Sequence, residues 1–163
     1  MILIPLLLFT GCYGEVGEDD MNIPGTLPEL LRGEWFYSQP GVPSRSERYI
    51  IDKDTVEYGY GGGESEMDYA GNIRFVSNYS ADSGVIIIEY TVPPTFQKYN
   101  GNSFFGIYYR NLKNNTVQLA NAINADYSSP DTATLEEAIE KFTRLKMGNY
   151  VDWGVVQPQN KVR

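Results

Sequence analysis

Val85-Ile86-Ile87-Ile88-Glu89-Tyr90 is the stretch on which the fold turns. It is a β-branched run, too short for an ordinary helix and closed by Pro93-Pro94, so it reads as a strand. Three consecutive isoleucines predict burial on both faces. On its N-terminal side, Ser80-Ala81-Asp82-Ser83-Gly84 is a turn. The residues before that turn, about Tyr69 to Tyr79, alternate as a second strand. Ile73, Phe75 and Tyr79 are expected on one face, and Asn72, Arg74 and Asn78 on the other.

Reading outward, the same period of two recurs. Toward the N-terminus, Gly33 to Tyr37, Ser46 to Ile51 and Thr55 to Tyr60 are strands. They are separated by Gln39-Pro40-Gly41-Val42-Pro43 and by the tight turn Asp52-Lys53-Asp54. Leu27-Pro28-Glu29-Leu30-Leu31 is one short helical turn before them. Toward the C-terminus, Ser103 to Arg110 and Thr116 to Ala122 are strands. The period then changes. Leu135, Ala138, Ile139, Phe142 and Leu145 mark one amphipathic helix, with Thr134 and Glu137 as its capping box and Gly148 as its stop. Tyr150 to Val156, with Trp153, is the last strand expected. Tyrosine is frequent, at 13 residues, with 7 Phe and 2 Trp, a composition that suits strands. The fold class is mainly β: an antiparallel eight-stranded up-and-down barrel with one helix before the last strand. Closure removes edge strands that would otherwise pair with other chains.

Gly33-Glu34-Trp35 resembles the G-x-W that opens the first strand of lipocalins and the wider calycin group. The resemblance implies that Trp35 is a structural plug at the closed end of the barrel. In lipocalins the terminal helix follows the eighth strand, whereas here it precedes the last one. The chain as a whole, including TLEEAIEKFT and YVDWGVVQP, is similar to lipocalin-like lipoproteins of spirochaetes.

The N-terminus is of a different kind. Ile2 to Phe9 is apolar, with a length that suits a signal h-region and is too short to span a bilayer. Thr10, Gly11 and Cys12 follow, and the stretch is similar to the lipobox of bacterial lipoproteins. That resemblance implies cleavage before Cys12 and acylation of Cys12, the one cysteine present. Two or three acyl chains hold a protein on a membrane far better than one. Phe9 stands where the family usually has leucine, and no Lys or Arg precedes the apolar run, so the start codon is expected upstream. Residues 1–11 are therefore read as signal peptide and 12–27 as lipidated cysteine and flexible acidic tether, with a typical reach of about 20 Å. The barrel domain is 28–163. Tyr13, rather than Asp, follows the cysteine, which in this family favours the outer membrane.

Composition excludes much chemistry. There is no histidine, so Ser-His-Asp and Cys-His catalysis and His-ligated zinc are out. With Cys12 acylated, thiol chemistry goes too. The net charge of −8 argues against nucleic acid and against electrostatic docking on anionic lipid. Gly59-Tyr60-Gly61-Gly62-Gly63 lacks the Gly-Lys-Ser/Thr of a phosphate loop, and Asp52-Lys53-Asp54 lacks the remaining ligands of an EF-hand. Glu136, Glu137 and Glu140 are surface charge on the helix. No catalytic residue, cofactor or metal is expected.

What remains is a tyrosine set: Tyr58, Tyr60, Tyr90, Tyr108 and Tyr109. Lined up inside a barrel, they would give apolar walls with polar tips. Arg74 and Arg110 would add specificity if they pointed inward, or pair with Glu57 or Glu89 if they pointed outward. Tyrosines that fill the core and belt the outside fit the same sequence. Two functions follow. One is a membrane-anchored, non-catalytic lipoprotein whose barrel binds a small apolar or amphipathic ligand. The other is a filled barrel serving as an envelope structural or host/protein-interaction module. An enclosed volume of about 300 Å³ or more would favour the first. A solid core centred on Trp35 would favour the second.

Overall fold

The computed structural model describes residues 24–61, 67–95, 99–124, 128, 130–143, 152–153 and 157–162. The apolar N-terminus, Cys12 and residues 13–23 of the tether lie outside them, as do Leu145 and Gly148 of the expected helix end.

The strands are β1 (Gly33–Gln39), β2 (Val42–Ile51), β3 (Thr55–Tyr60), β4 (Met67–Ser80), β5 (Ser83–Val92), β6 (Phe104–Arg110), β7 (Thr116–Ile123), β8 (Asp152–Trp153) and β9 (Gln157–Lys161). One helix, α1 (Leu135–Thr143), lies between β7 and β8. β1 to β7 pair in sequence, each antiparallel to the next, and β9 closes the ring by pairing with both β7 and β1. The result is an antiparallel eight-stranded up-and-down barrel, the architecture expected from the alternation.

The closing strand differs from expectation. Within the Tyr150 to Val156 stretch only Asp152–Trp153 is described as strand, and it pairs with the end of β7 at Ile123 and Ala122. Closure belongs to Gln157-Pro158-Gln159-Asn160-Lys161. That segment is polar and carries a proline, so nothing in its composition marks a strand. It holds its place through four residue pairs to β7 and two to β1, and Pro158 falls beyond the β1 pairing.

β5 is buried on both faces, and the two faces have different cover. Ile86 and Ile88 face the same side as Ile107 and Phe105 of β6. Val85 and Ile87 face the other side, beside Tyr108 and Gly106. α1 packs on β4, β5 and β6. Gly106 permits this: a Cβ there would stand 2.6 Å from the ring of Phe142. Tyr79 Oη donates to the carbonyls of Phe142 and Thr143 at 3.3 and 3.0 Å. The helix opens with the expected capping box, the Glu137 N–H on Thr134 Oγ1 and the Thr134 N–H on Glu137 Oε2, both at 3.2 Å.

β4 corrects the face assignment made from its alternation. Ile73 pairs with Ile88 and Phe75 with Ile87, so a bulge at Arg74 puts Ile73 and Phe75 on opposite faces. Phase is regained with one residue inserted, and Asn78, expected on the polar face, turns inward. It accepts a hydrogen bond from Tyr109 Oη at 2.7 Å.

One end of the barrel is shut. A 3-10 turn, Glu29–Leu31, crosses it, and Trp35 Nε1 donates to the Leu31 carbonyl at 2.7 Å. Both residues are fully buried. Lys161 Nζ sits 5.2 Å from the Trp35 ring centroid and donates to the Leu30 carbonyl. The end of the stretch read as tether joins in. Gly25 N–H donates to the Val76 carbonyl at 2.7 Å, and Asn78 Nδ2 donates to the Thr26 carbonyl at 3.0 Å.

Candidate functional site

From the Trp35 end the inward side chains rise in tiers. Trp35 pairs across the ladder with Tyr49, and Tyr49 with Tyr58, and Tyr58 with Tyr69. Residues directly opposite on one face lie side by side, and the rings meet: Tyr49 and Tyr58 at 4.7 Å between centroids, Tyr58 and Tyr69 at 4.9 Å. Tyr69 then contacts Tyr90 and Phe105, at 5.6 and 5.7 Å, in edge-to-face geometry. Its hydroxyl donates to Asn121 Oδ1 of β7 at 2.7 Å. This aromatic tier fills the middle of the barrel. Burial raises the phenol pKa of Tyr49, Tyr58 and Tyr69 well above the ordinary value, and the nearby Glu47 carboxylate adds to the effect. All three are neutral hydrogen-bonding groups at physiological pH.

The tier above is polar. Glu47 pairs with Tyr37 on β1 and with Tyr60 on β3, so a carboxyl sits between two tyrosines on the inward face. Tyr60 is 44% exposed, which marks this as the open end. Gln159 of β9 is fully buried, and its Nε2 donates to Glu47 Oε2 at 3.0 Å. Among the described residues Gln159 Oε1 has no hydrogen-bond partner. Glu47 is not within salt-bridge distance of any cation among the described residues. Burial raises its pKa to about 7, with the Gln159 hydrogen bond pulling the other way.

The tyrosines singled out in the sequence divide. Tyr58 and Tyr90 belong to the aromatic tier, and Tyr90 Oη donates to Asp131 Oδ1 at 3.1 Å. Tyr60 is at the mouth. Tyr109 lies inward near the closed end, over Gly84, where a Cβ would stand 2.7 Å from its hydroxyl. Tyr108, its neighbour in the strand, faces the opposite side and packs 6.2 Å from Tyr79. It therefore does not line the interior with the others. Adjacent residues of a strand cannot share a face.

Neither arginine enters the barrel. Arg74 pairs with Glu89 at 2.6 Å on the exposed surface, one of the two partners expected for it. Arg110 shares a face with Tyr108 and donates from Nε to Gln118 Oε1 at 2.7 Å, rather than to Glu57 or Glu89. Trp35 is the buried residue at the closed end, as described. Missing from the sequence reading were Tyr49, Tyr69, Phe105, Glu47 and Gln159. The first four lie on alternate positions of recognised strands, so periodicity places them. Gln159 lies in the strand whose composition conceals it.

A shallow pocket on the β2–β3–β4 wall, lined by Arg48, Ile50, Glu57, Tyr58, Gly59 and Met67, has a volume of about 20 Å³. That is room for about one water molecule, against several hundred Å³ for an ordinary ligand cavity. Among the described residues, no three His, Cys, Asp or Glu side chains are grouped as a metal site requires. Comparisons with protein-family models, curated proteins and solved structures found no match to this chain.

Proposed function

We propose that this chain is a lipoprotein held to a bacterial envelope, on the outer-membrane side, through acylated Cys12. Its barrel is a non-catalytic structural or protein-interaction module that works through its outer wall and mouth, and not a carrier that swallows an apolar ligand. The observation that carries this choice is the packed middle of the barrel. Trp35, Tyr49, Tyr69 and Phe105 are each no more than 1% exposed, and ring contacts run from β2 round to β6. A lipid tail would have to displace that stack, at a cost of several kcal/mol in lost aromatic contacts.

Two experiments test the proposal. Native mass spectrometry of the full chain carrying Cys12→Ala, made in cells, is expected to give an apo mass. A co-purifying apolar molecule would restore the carrier. Separately, labelled palmitate is expected to enter the wild-type protein and to be absent from Cys12→Ala. Equal labelling of the two would remove the anchor.

A further inference from the structure

The mouth of the barrel holds a group of side chains with no structural task that accounts for it. We propose that Glu47, Gln159 and the tyrosines around them form a recognition site for a primary alkylammonium, either a small amine or the side chain of a lysine on a partner protein.

Four observations converge there. Glu47 lies directly between Tyr37 and Tyr60 on the inward face, with Tyr49 two residues on and Tyr58 against Tyr49. A carboxyl whose neighbours on the inward face are four tyrosines has the composition of a cation-binding cage, because ring faces attract positive charge. The carboxyl lies outside salt-bridge range of every described cation. A carboxyl largely removed from water without a cation is costly, and an entering ammonium would lower that cost. Beside it, Gln159 Oε1 is a fully buried acceptor that no hydrogen bond satisfies among the described residues. Glu47 and Gln159 together thus offer acceptors for a group with several N–H donors and offer little to an anion. Tyr60, almost half exposed, stands at the solvent rim of the site, and Glu47 beside it is itself partly exposed. The chain's net charge of −8 favours the approach of cations.

An ammonium has three donors. One can meet the Glu47 carboxyl and one Gln159 Oε1, while the methylenes lie on the tyrosine faces. The Gln159 Nε2 hydrogen bond holds the carboxyl in place for this. The other titratable groups facing the site are Tyr37 of β1, Tyr49 of β2, Tyr58 and Tyr60 of β3, and Asp68 and Tyr69 of β4. Asp68 also bears on Tyr58 and adds negative charge on that side. Glu47 titrates near 7, so its ionised fraction rises from about one tenth at pH 6 to about nine tenths at pH 8. An alkylammonium stays charged throughout.

The test is a titration of the full chain carrying Cys12→Ala with n-butylammonium and with N-acetyl-lysine amide. Calorimetry reads the affinity and side-chain amide NMR reads the signal of Gln159. Saturable binding that shifts the Gln159 signal is expected, about tenfold tighter at pH 8 than at pH 6. Tighter binding of the lysine amide would assign the site to a protein partner, and tighter binding of butylammonium to a free amine. Glu47→Gln keeps the shape of the side chain and is expected to weaken both at least tenfold. Tyr60→Leu, at an exposed position, is expected to weaken them severalfold. Absence of binding to the otherwise unchanged chain at millimolar probe, or undiminished binding to a folded Glu47→Gln variant, would overturn the assignment.

Discussion

The two ends of the barrel are built from the same strands and handle the polarity of their inward side chains differently. At the closed end the inward side chains have their polar atoms paired close by, the indole N–H of Trp35 on the Leu31 carbonyl and the hydroxyl of Tyr109 on Asn78, and the unpartnered Nε of Arg32 there belongs to a guanidinium already ion-paired with Glu29. At the mouth, on the same β1, β2 and β9, a half-buried carboxyl meets a fully buried carboxamide and, among the described residues, one oxygen is left over. Moving from Trp35 to Tyr37, or from Tyr49 to Glu47, is a step of two residues along one face. That step separates a region organised for stability from one that gives some of it up. Groups kept buried and incompletely satisfied are where a fold departs from its own packing rules, and such departures mark sites.

The contrast can be broken from either side. Trp35→Ala should be the most damaging single change, costing about 3–5 kcal/mol, because it empties the closed end and orphans the Leu31 carbonyl. A urea denaturation midpoint that barely moves would mean that the ends are alike. Glu47→Gln should act in the opposite direction. Its folded pKa, about 7, exceeds the ordinary 4.5. As pH rises from 4.5 through 7 the unfolded chain loses this proton first, so the wild type is progressively destabilised by up to about 3 kcal/mol. The variant is expected to lack that slope and to gain on the wild type from pH 5 to pH 8 in parallel chemical melts. Parallel pH profiles would show that the mouth is no less satisfied than the base.

Between the ends, Tyr69→Phe removes the hydroxyl bonded to Asn121 at 2.7 Å. It should cost about 1–2 kcal/mol, read as a fall in melting temperature. A double-mutant cycle with Asn121→Ala should recover most of that energy as coupling. The smallest effect belongs to the outer wall. Arg74→Ala breaks the exposed pair with Glu89 and should change stability by about 0.5 kcal/mol or less. A larger loss would mean that the bulge at Arg74 depends on the ion pair.

Alternation and punctuation made most of the barrel legible, because period-two burial is a local property that each strand carries in its own residues. β3 runs from Thr55 to Tyr60 as expected, β5 is two residues longer than expected at each end, and β6 starts one residue later than expected. Two kinds of information were not local. The bulge at Arg74 is invisible in a pattern of polar and apolar letters, and one inserted residue was enough to exchange the faces of Phe75 and Asn78. β9 has no strand character of its own and is a strand because two neighbours with unpaired ladders flank it. The mouth was half legible. Glu47, Tyr49 and Ile51 alternate with Arg48 and Ile50, which places a carboxyl on the tyrosine face. Gln159 could not be added, since it arrives on β9, more than a hundred residues later in the chain.

The strap formed by residues 24–31 has a mechanical meaning. A pull on the chain from its N-terminal side first meets Gly25 on Val76 and Thr26 under Asn78. These bonds release one at a time, as a zip does. The next obstacle is Leu31 locked to Trp35, and behind it β1, paired to β2 along nearly its whole length. There the load falls along the strand, and many hydrogen bonds must fail together. Under the proposed anchoring at Cys12, tension from the membrane would be absorbed by a short sacrificial segment at the closed end, while the mouth at the opposite end kept its shape.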